Sequence, residues 1–279
     1  MYEKRKIWLG VSSALLATTV ASTEVEAKSD ITVNAQFNAG ISSVALLSAG
    51  EGGEGEGGEG EGGEGGANID LAKDNAAYLA QLGLIRGHLW VGYKLYQEGH
   101  IDMAKTHMKH PEDELYAGME PVFKARQVDG FAKELQVLAD AVNGEKGDAA
   151  VKKAYQSLQN QIAKSERIEE KSARDVLISI SLMVRTAADE YAIGVKNGDV
   201  VNVHEYQDAY GFTEIAIERL DSINSEQQQL AAKDIENTRQ WLLELRDLWP
   251  TVDPQGKLEG DASHLYGAAA RIELAAMNN

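Results

Sequence analysis

The residues of this chain best suited to chemistry are concentrated in one stretch, Gly87 to Tyr116, GHLWVGYKLYQEGHIDMAKTHMKHPEDELY. Four of the six histidines lie inside it, and Glu112, Asp113 and Glu114 follow the last of them. Imidazole and carboxylate are the ligand types that hold borderline and hard transition metals. The chain contains no cysteine, so thiolate sites are excluded and a metal must be held by His, carboxylate, Tyr, Met or backbone.

Where the helices stop decides which of these residues meet. Asn68 or Asp70 can cap a helix in which Leu84, Val91 and Leu95 recur at helical spacing. His88 falls on the same stripe and is expected to point inward. Gly99 ends that helix, and a short second one carries Ile101 to about Met108. Pro111 lacks an N–H and pushes His110 out of the α region, while the three acids behind it are favoured by the positive end of a new helix. His107 then closes one helix, His110 sits in the turn, and Glu114 lies in the first turn of the next. His88, His107, His110 and Glu114 are thus the expected ligands at one helix–turn–helix corner. Met103 is a possible soft addition and Tyr116 a possible phenolate. The plainer reading is that His88 is a hydrogen-bonded core residue and that the acids only cap a helix. The spacing matches neither HExxH nor a paired Glu-x-x-His di-iron set.

A second informative stretch is DEYAIGVKNGDVVNVHEYQDAYGF, Asp189 to Phe212. Asn197-Gly198 ends one long helix and Asn202 can cap the next, giving an antiparallel helical hairpin. Val201, Glu205, Phe212 and Ile215 share a face, so Glu205 stands on an apolar stripe and needs a partner. Glu190 or Tyr191, near the end of the preceding helix, can share a cation with Glu205 or form a hydrogen-bonded pair with it. Glu190 and Glu205 are therefore expected to form a second carboxylate site or the other half of the first. His204, one residue round the helix, has no assigned side.

The elements that carry these stretches follow from the rest of the chain. MYEKRK followed by the apolar run IWLGVSSALLATTV reads as a signal peptide, residues 1–27, which makes a periplasmic or secreted location the expectation. Residues 28–66 end in a Gly/Glu repeat with Glu51, Glu54, Glu56, Glu59, Glu61 and Glu64, which should behave as a disordered, extended linker. From residue 67 to 279 the pattern is helical almost throughout, with no alternating run convincing as a strand. The expected fold is all-α, a helical bundle or bundles of eight or nine helices, near 70–98, 101–109, 112–126, 129–142, 148–165, 167–196, 201–222, 225–248 and 260–276. A subdivision of the domain is expected, if anywhere, near 143–147.

The net charge is −17, and removing the six linker glutamates still leaves an acidic remainder. Such a surface repels phosphate backbones and anionic lipid, which argues against nucleic-acid and membrane-surface roles and welcomes small cations.

The Asp189 to Phe212 segment, with its Glu-Tyr-x-x-Gly-Val-x-x-Gly-x-Val-x-Asn-x-x-Glu-Tyr character, resembles the soluble periplasmic helical region of bacterial Ftr-type high-affinity iron permeases. LIRGHLWVGYKLYQEGHIDMAKTHMKHPEDELY, Leu84 to Tyr116, is similar to soluble helical segments of the same group. The resemblance implies a periplasmic role in acquiring iron or a related metal. The chain departs from that group in having no permease membrane domain and no Arg-Glu-x-x-Glu iron motif, and it carries neither a CxxCH haem site nor a Gly-x-His-x-x-Glu motif. Binding or delivery is implied, not transport by this chain itself, with a membrane transporter or envelope protein as partner.

Three functional readings follow. The first is a periplasmic transition-metal-binding protein, for iron before copper or zinc, using His88, His107, His110 and Glu114, with Glu190 and Glu205 in support. Ligation requires neutral imidazole, so binding should weaken below about pH 6. The second is a non-catalytic helical interaction module of the cell envelope. The third is a metal- or haem-dependent redox enzyme, disfavoured because no nucleophile–base pair and no phosphate loop is visible.

Overall fold

A computed structural model describes residues 69–110, 115–168 and 171–278. The expected signal peptide and Gly/Glu linker lie outside the described residues, as does Glu114. The first long helix, α1 (Asn75–Glu98), is capped by Asp74, whose side chain accepts from the Ala77 N–H. The cap expected at Asp70 instead forms a local turn onto the Ala72 N–H. Gly99, with φ at +86°, closes the helix as the sequence requires.

Burial on α1 covers nearly every face from Ala76 to Val91. A helix that is apolar all round belongs in the middle of a structure, and α1 packs on α2 (Ile101–His110), α5 (Asp148–Ser165), α6 (Ala173–Gly194) and α7 (Val203–Leu220). One face, including Ala80 and Leu84, joins an apolar cluster made with α6, α7, α9 (Ala232–Glu244) and α10 (Ala262–Ala276). Another, with Tyr78, Leu82, Ile85 and Leu89, joins a second cluster made with α3 (Ala117–Arg126), α4 (Ala132–Asn143) and α5. The turn from Gly144 to Gly147 connects α4 to α5 within that second cluster.

The all-α expectation holds: the described residues contain ten α-helices, a short 3₁₀ turn at Leu245–Leu248, and a single two-residue strand pair. That pair, Val195–Lys196 with Asp199–Val200, replaces the plain loop expected between α6 and α7. Asn197 and Gly198 both take positive φ, 54° and 82°, the requirement of a two-residue hairpin turn with inverted handedness. Asn202 caps α7 as expected, accepting from the His204 N–H.

The helix expected over 225–248 is broken. Asn224 and Gln227 form a reciprocal capping box that starts α8 (Ser225–Leu230), and Ala231, at φ −114° and ψ 23°, ends it and begins α9. Among the described residues, no helix is long and apolar enough to cross a membrane.

Candidate metal centre

Two close backbone crossings set the geometry of the site. Gly87 of α1 and Gly211 of α7 lie against each other: a methyl on Gly211 would overlap the Gly87 carbonyl, and one on Gly87 would overlap Phe212. On the other side of α1, a methyl on Gly92 would crowd Met108 of α2 and come within 3.4 Å of the His107 Cβ. The small residues let α7 and α2 approach α1 closely. His88, next to Gly87, then meets Asp208, one helical turn before Gly211, and His107, which lies across from Gly92.

The result is a buried trio. The Nδ1 of His88 is 2.6 Å from Asp208 Oδ1, and the Nδ1 of His107 is 3.1 Å from the same oxygen. The two imidazoles are 6.5 Å apart, centroid to centroid, and the three ligand atoms all lie within 4.8 Å of one another. His107 is 1 % exposed and Asp208 6 %. Both imidazoles thus share one carboxylate oxygen as their charge and hydrogen-bond partner. Two imidazole nitrogens converging on one buried carboxylate oxygen form a constellation of the donor types that hold borderline metal ions.

Burial works to raise the Asp208 carboxyl, but the charges of His88 and His107 outweigh it and hold the group well below the usual carboxylate range. Asp208 is therefore an anion in the core, which requires positive charge beside it, from protonated imidazole or from a metal.

The surroundings fix the trio. Phe212 packs edge-on against His88 with centroids 5.0 Å apart. The ring of His204, half-buried one turn before Asp208, stands 5.3 Å from His107. Gln207, fully buried, reaches His107 Nε2 with Oε1 at 2.8 Å and donates from Nε2 to the Val252 carbonyl at 3.0 Å.

Of the expected ligands, His88 and His107 come together. His110 ends α2, one residue beyond the helix expected there, and its side chain is outside the described residues, as is Glu114. Glu190 and Glu205 are both buried, on α6 and α7, as their positions on apolar stripes require, and neither belongs to the trio. Glu205 accepts from the Asn202 side chain at 3.4 Å. The Tyr116 hydroxyl accepts from the Phe131 N–H at 3.0 Å, and its ring packs with Phe123 and Phe131, so it is a core residue and not a ligand. The sulfur of Met103 receives an N–H of Gln207 at 3.6 Å. Asp208 and Gln207 were missed by the sequence reasoning. The signal for Asp208 was available: it lies three residues after Glu205 and four before Phe212, on the stripe that singled out Glu205.

Residues 165–277 match the family described as the iron permease-associated 4-helix bundle domain. The range takes in α6 to α10 and includes the segment Asp189 to Phe212 that carries the resemblance. Asp208 lies inside the match, His88 and His107 before it. Comparison with curated proteins and with solved structures finds no match.

Proposed function

From the premise that residues 165–277 are an iron permease-associated four-helix bundle, we propose that this chain captures a transition-metal ion, iron first, and presents it to a membrane transporter. The observation that carries the reading is the convergence of His88, His107 and Asp208 within 4.8 Å. Two imidazoles and one carboxylate suit iron, zinc and copper and leave further coordination positions for other groups. Asp208 Oδ1, on which both imidazoles converge, is the oxygen that would face the ion. His110, three residues after His107 on α2, and Glu114 are the candidates for additional ligands from the sequence. Glu190 and Glu205 are candidates for further anionic charge nearby. A periplasmic or secreted location suits such a role and is part of the proposal.

The bound ion is cargo. His88 and His107 supply neutral nitrogen donors, Asp208 supplies charge, and the apolar packing around Phe212 keeps water from competing. Binding displaces protons from the imidazoles, so uptake is favoured as pH rises through the histidine range.

The test is elemental analysis by mass spectrometry of the full chain after incubation with iron, zinc or copper and removal of excess, with His88→Ala, His107→Ala and Asp208→Asn beside the wild type. About one equivalent of a transition metal, lost in all three variants, is the expected result. No retained metal in a folded wild-type protein would sink the reading and leave the trio as a structural ion pair.

A further inference from the structure

We propose that Gln207 is a positioning residue that decides which nitrogen of His107 is offered to the metal. The proposal rests on the metal-binding reading above and concerns a residue that is itself not a ligand.

The Val252 carbonyl can only accept a hydrogen bond, so the Gln207 amide must turn its NH₂ toward it, at 3.0 Å. The second proton of that NH₂ lies toward the Met103 sulfur, at 3.6 Å. Both donors are thereby engaged, and Oε1 is left facing His107 Nε2 at 2.8 Å. The reverse orientation would set two oxygens against each other and is excluded. An acceptor at Nε2 requires that Nε2 carry the hydrogen. In the neutral ring the lone pair then resides on Nδ1, the nitrogen that lies 3.1 Å from Asp208 Oδ1.

The orientation is held from outside the ring. Gln207 and Val252 are both fully buried, and Val252 packs with Val91, Leu95 and Ala104 in a small apolar cluster under α1 and α2. Tyr206, the preceding residue, donates to the Thr251 carbonyl at 2.7 Å, so the 251–252 segment is fastened to α7 at two consecutive positions. A backbone carbonyl so fastened dictates the amide, and the amide holds the proton on Nε2, so that Nδ1, which faces the Asp208 carboxylate in the metal-free protein, is the nitrogen left to an ion that displaces any proton there. Partners of this kind raise ligand basicity and fix ring orientation, and losing one typically weakens metal binding 10- to 100-fold.

The test uses the full chain with Zn²⁺ alone as the probe, comparing wild type, Gln207→Met and Gln207→Glu. Affinity is read by calorimetry, and the His107 tautomer by imidazole nitrogen NMR of the metal-free protein at pH 8. Gln207→Met, similar in volume but without an acceptor, should weaken Zn²⁺ binding 10- to 100-fold and allow His107 to carry its proton on Nδ1. Gln207→Glu, whose protonated carboxyl donates to the Val252 carbonyl and accepts from Nε2–H, should keep the tautomer and more of the affinity than Gln207→Met does. Wild-type affinity in folded Gln207→Met would overturn the role of Gln207 while leaving the metal site standing. A wild-type His107 protonated on Nδ1 when neutral would overturn it whatever the variants do. Wild-type protein that takes up no Zn²⁺ and no iron would instead overturn the metal reading and this inference with it.

Discussion

Gln207 and Asp208, consecutive on α7, engage opposite nitrogens of one imidazole: Gln207 is 2.8 Å from His107 Nε2 and Asp208 is 3.1 Å from Nδ1. Neighbouring residues on a helix diverge by about 100°, and that divergence is what allows the two side chains to straddle a ring offered by another helix. Replacing Asp208 by Asn keeps the shape and removes the charge. We expect the variant to remain helical by circular dichroism and to bind iron or zinc at least tenfold more weakly, on the order of the loss seen when a partner of a buried charge pair is removed. Unchanged affinity in the Asn variant would place the ion elsewhere.

The crossing of Gly87 and Gly211 sets the distance between the helices that bear His88 and Asp208. Gly211→Ala inserts a methyl into the Gly87 backbone and should destabilise the protein by about 1–3 kcal/mol, the usual cost of overpacking. Because the strain falls between two ligand-bearing helices, metal affinity should fall as well. Gly267→Ala, inside α10 where a methyl meets nothing, is the control and should gain about 0.5–1 kcal/mol of stability from helix propensity while leaving metal affinity unchanged. Denaturant unfolding of the metal-free proteins separates the two effects.

Arg219 is 3 % exposed and forms an ion pair of 2.6 Å with Glu166, which Arg86 also approaches at 3.5 Å. Arg219 also donates to the Leu79 carbonyl and to Ser179. Burial draws its guanidinium pKa down and Glu166 opposes that draw. Arg219→Leu would remove the cation from this knot and is expected to cost about 3–5 kcal/mol, with little effect on the metal site. A loss below about 1 kcal/mol, the range of an exposed pair, would show the knot to be dispensable.

Burial pushes the hydroxyls of Tyr78 and Tyr191 up to about 12. In the unfolded chain tyrosine ionises near 10. Between those values the folded state holds protons that the unfolded state releases, so stability is complete below about pH 10 and falls as pH rises toward 12. Tyrosinate absorbance in an alkaline titration should therefore rise in two phases, exposed rings first, the buried ones together with loss of helicity. Full ionisation of all tyrosines near pH 10 with the fold intact would contradict the burial.

Much of the architecture was legible from residues that have one dominant physical preference. Gly99, Asn202 and Asn197-Gly198 stop and start elements because of their backbone freedom or side-chain acceptors, and the structure uses each of them. The break at Ala231 was not legible, since alanine is the best of helix formers and no glycine, proline or capping side chain marks the position where α8 ends and α9 begins. Asp74 was passed over because Asp70 and Asn68 offered equivalent caps earlier in the chain. At the site, clustering made His88 and His107 visible. Asp208 was obscured by Glu205, which shares its stripe, and Gln207 could not be found from sequence because its partner is a backbone carbonyl in a distant loop.

The segment recognisable as a family and the chemistry do not coincide. The match begins at residue 165, while α1 and α2, which carry both imidazoles of the trio, come earlier in the chain. Residues 165–277 moved by themselves onto another protein would bring one oxygen donor of the trio and a vacant seat for a foreign helix. Whatever supplied that helix would choose the side chains set opposite Asp208 at the Gly211 crossing.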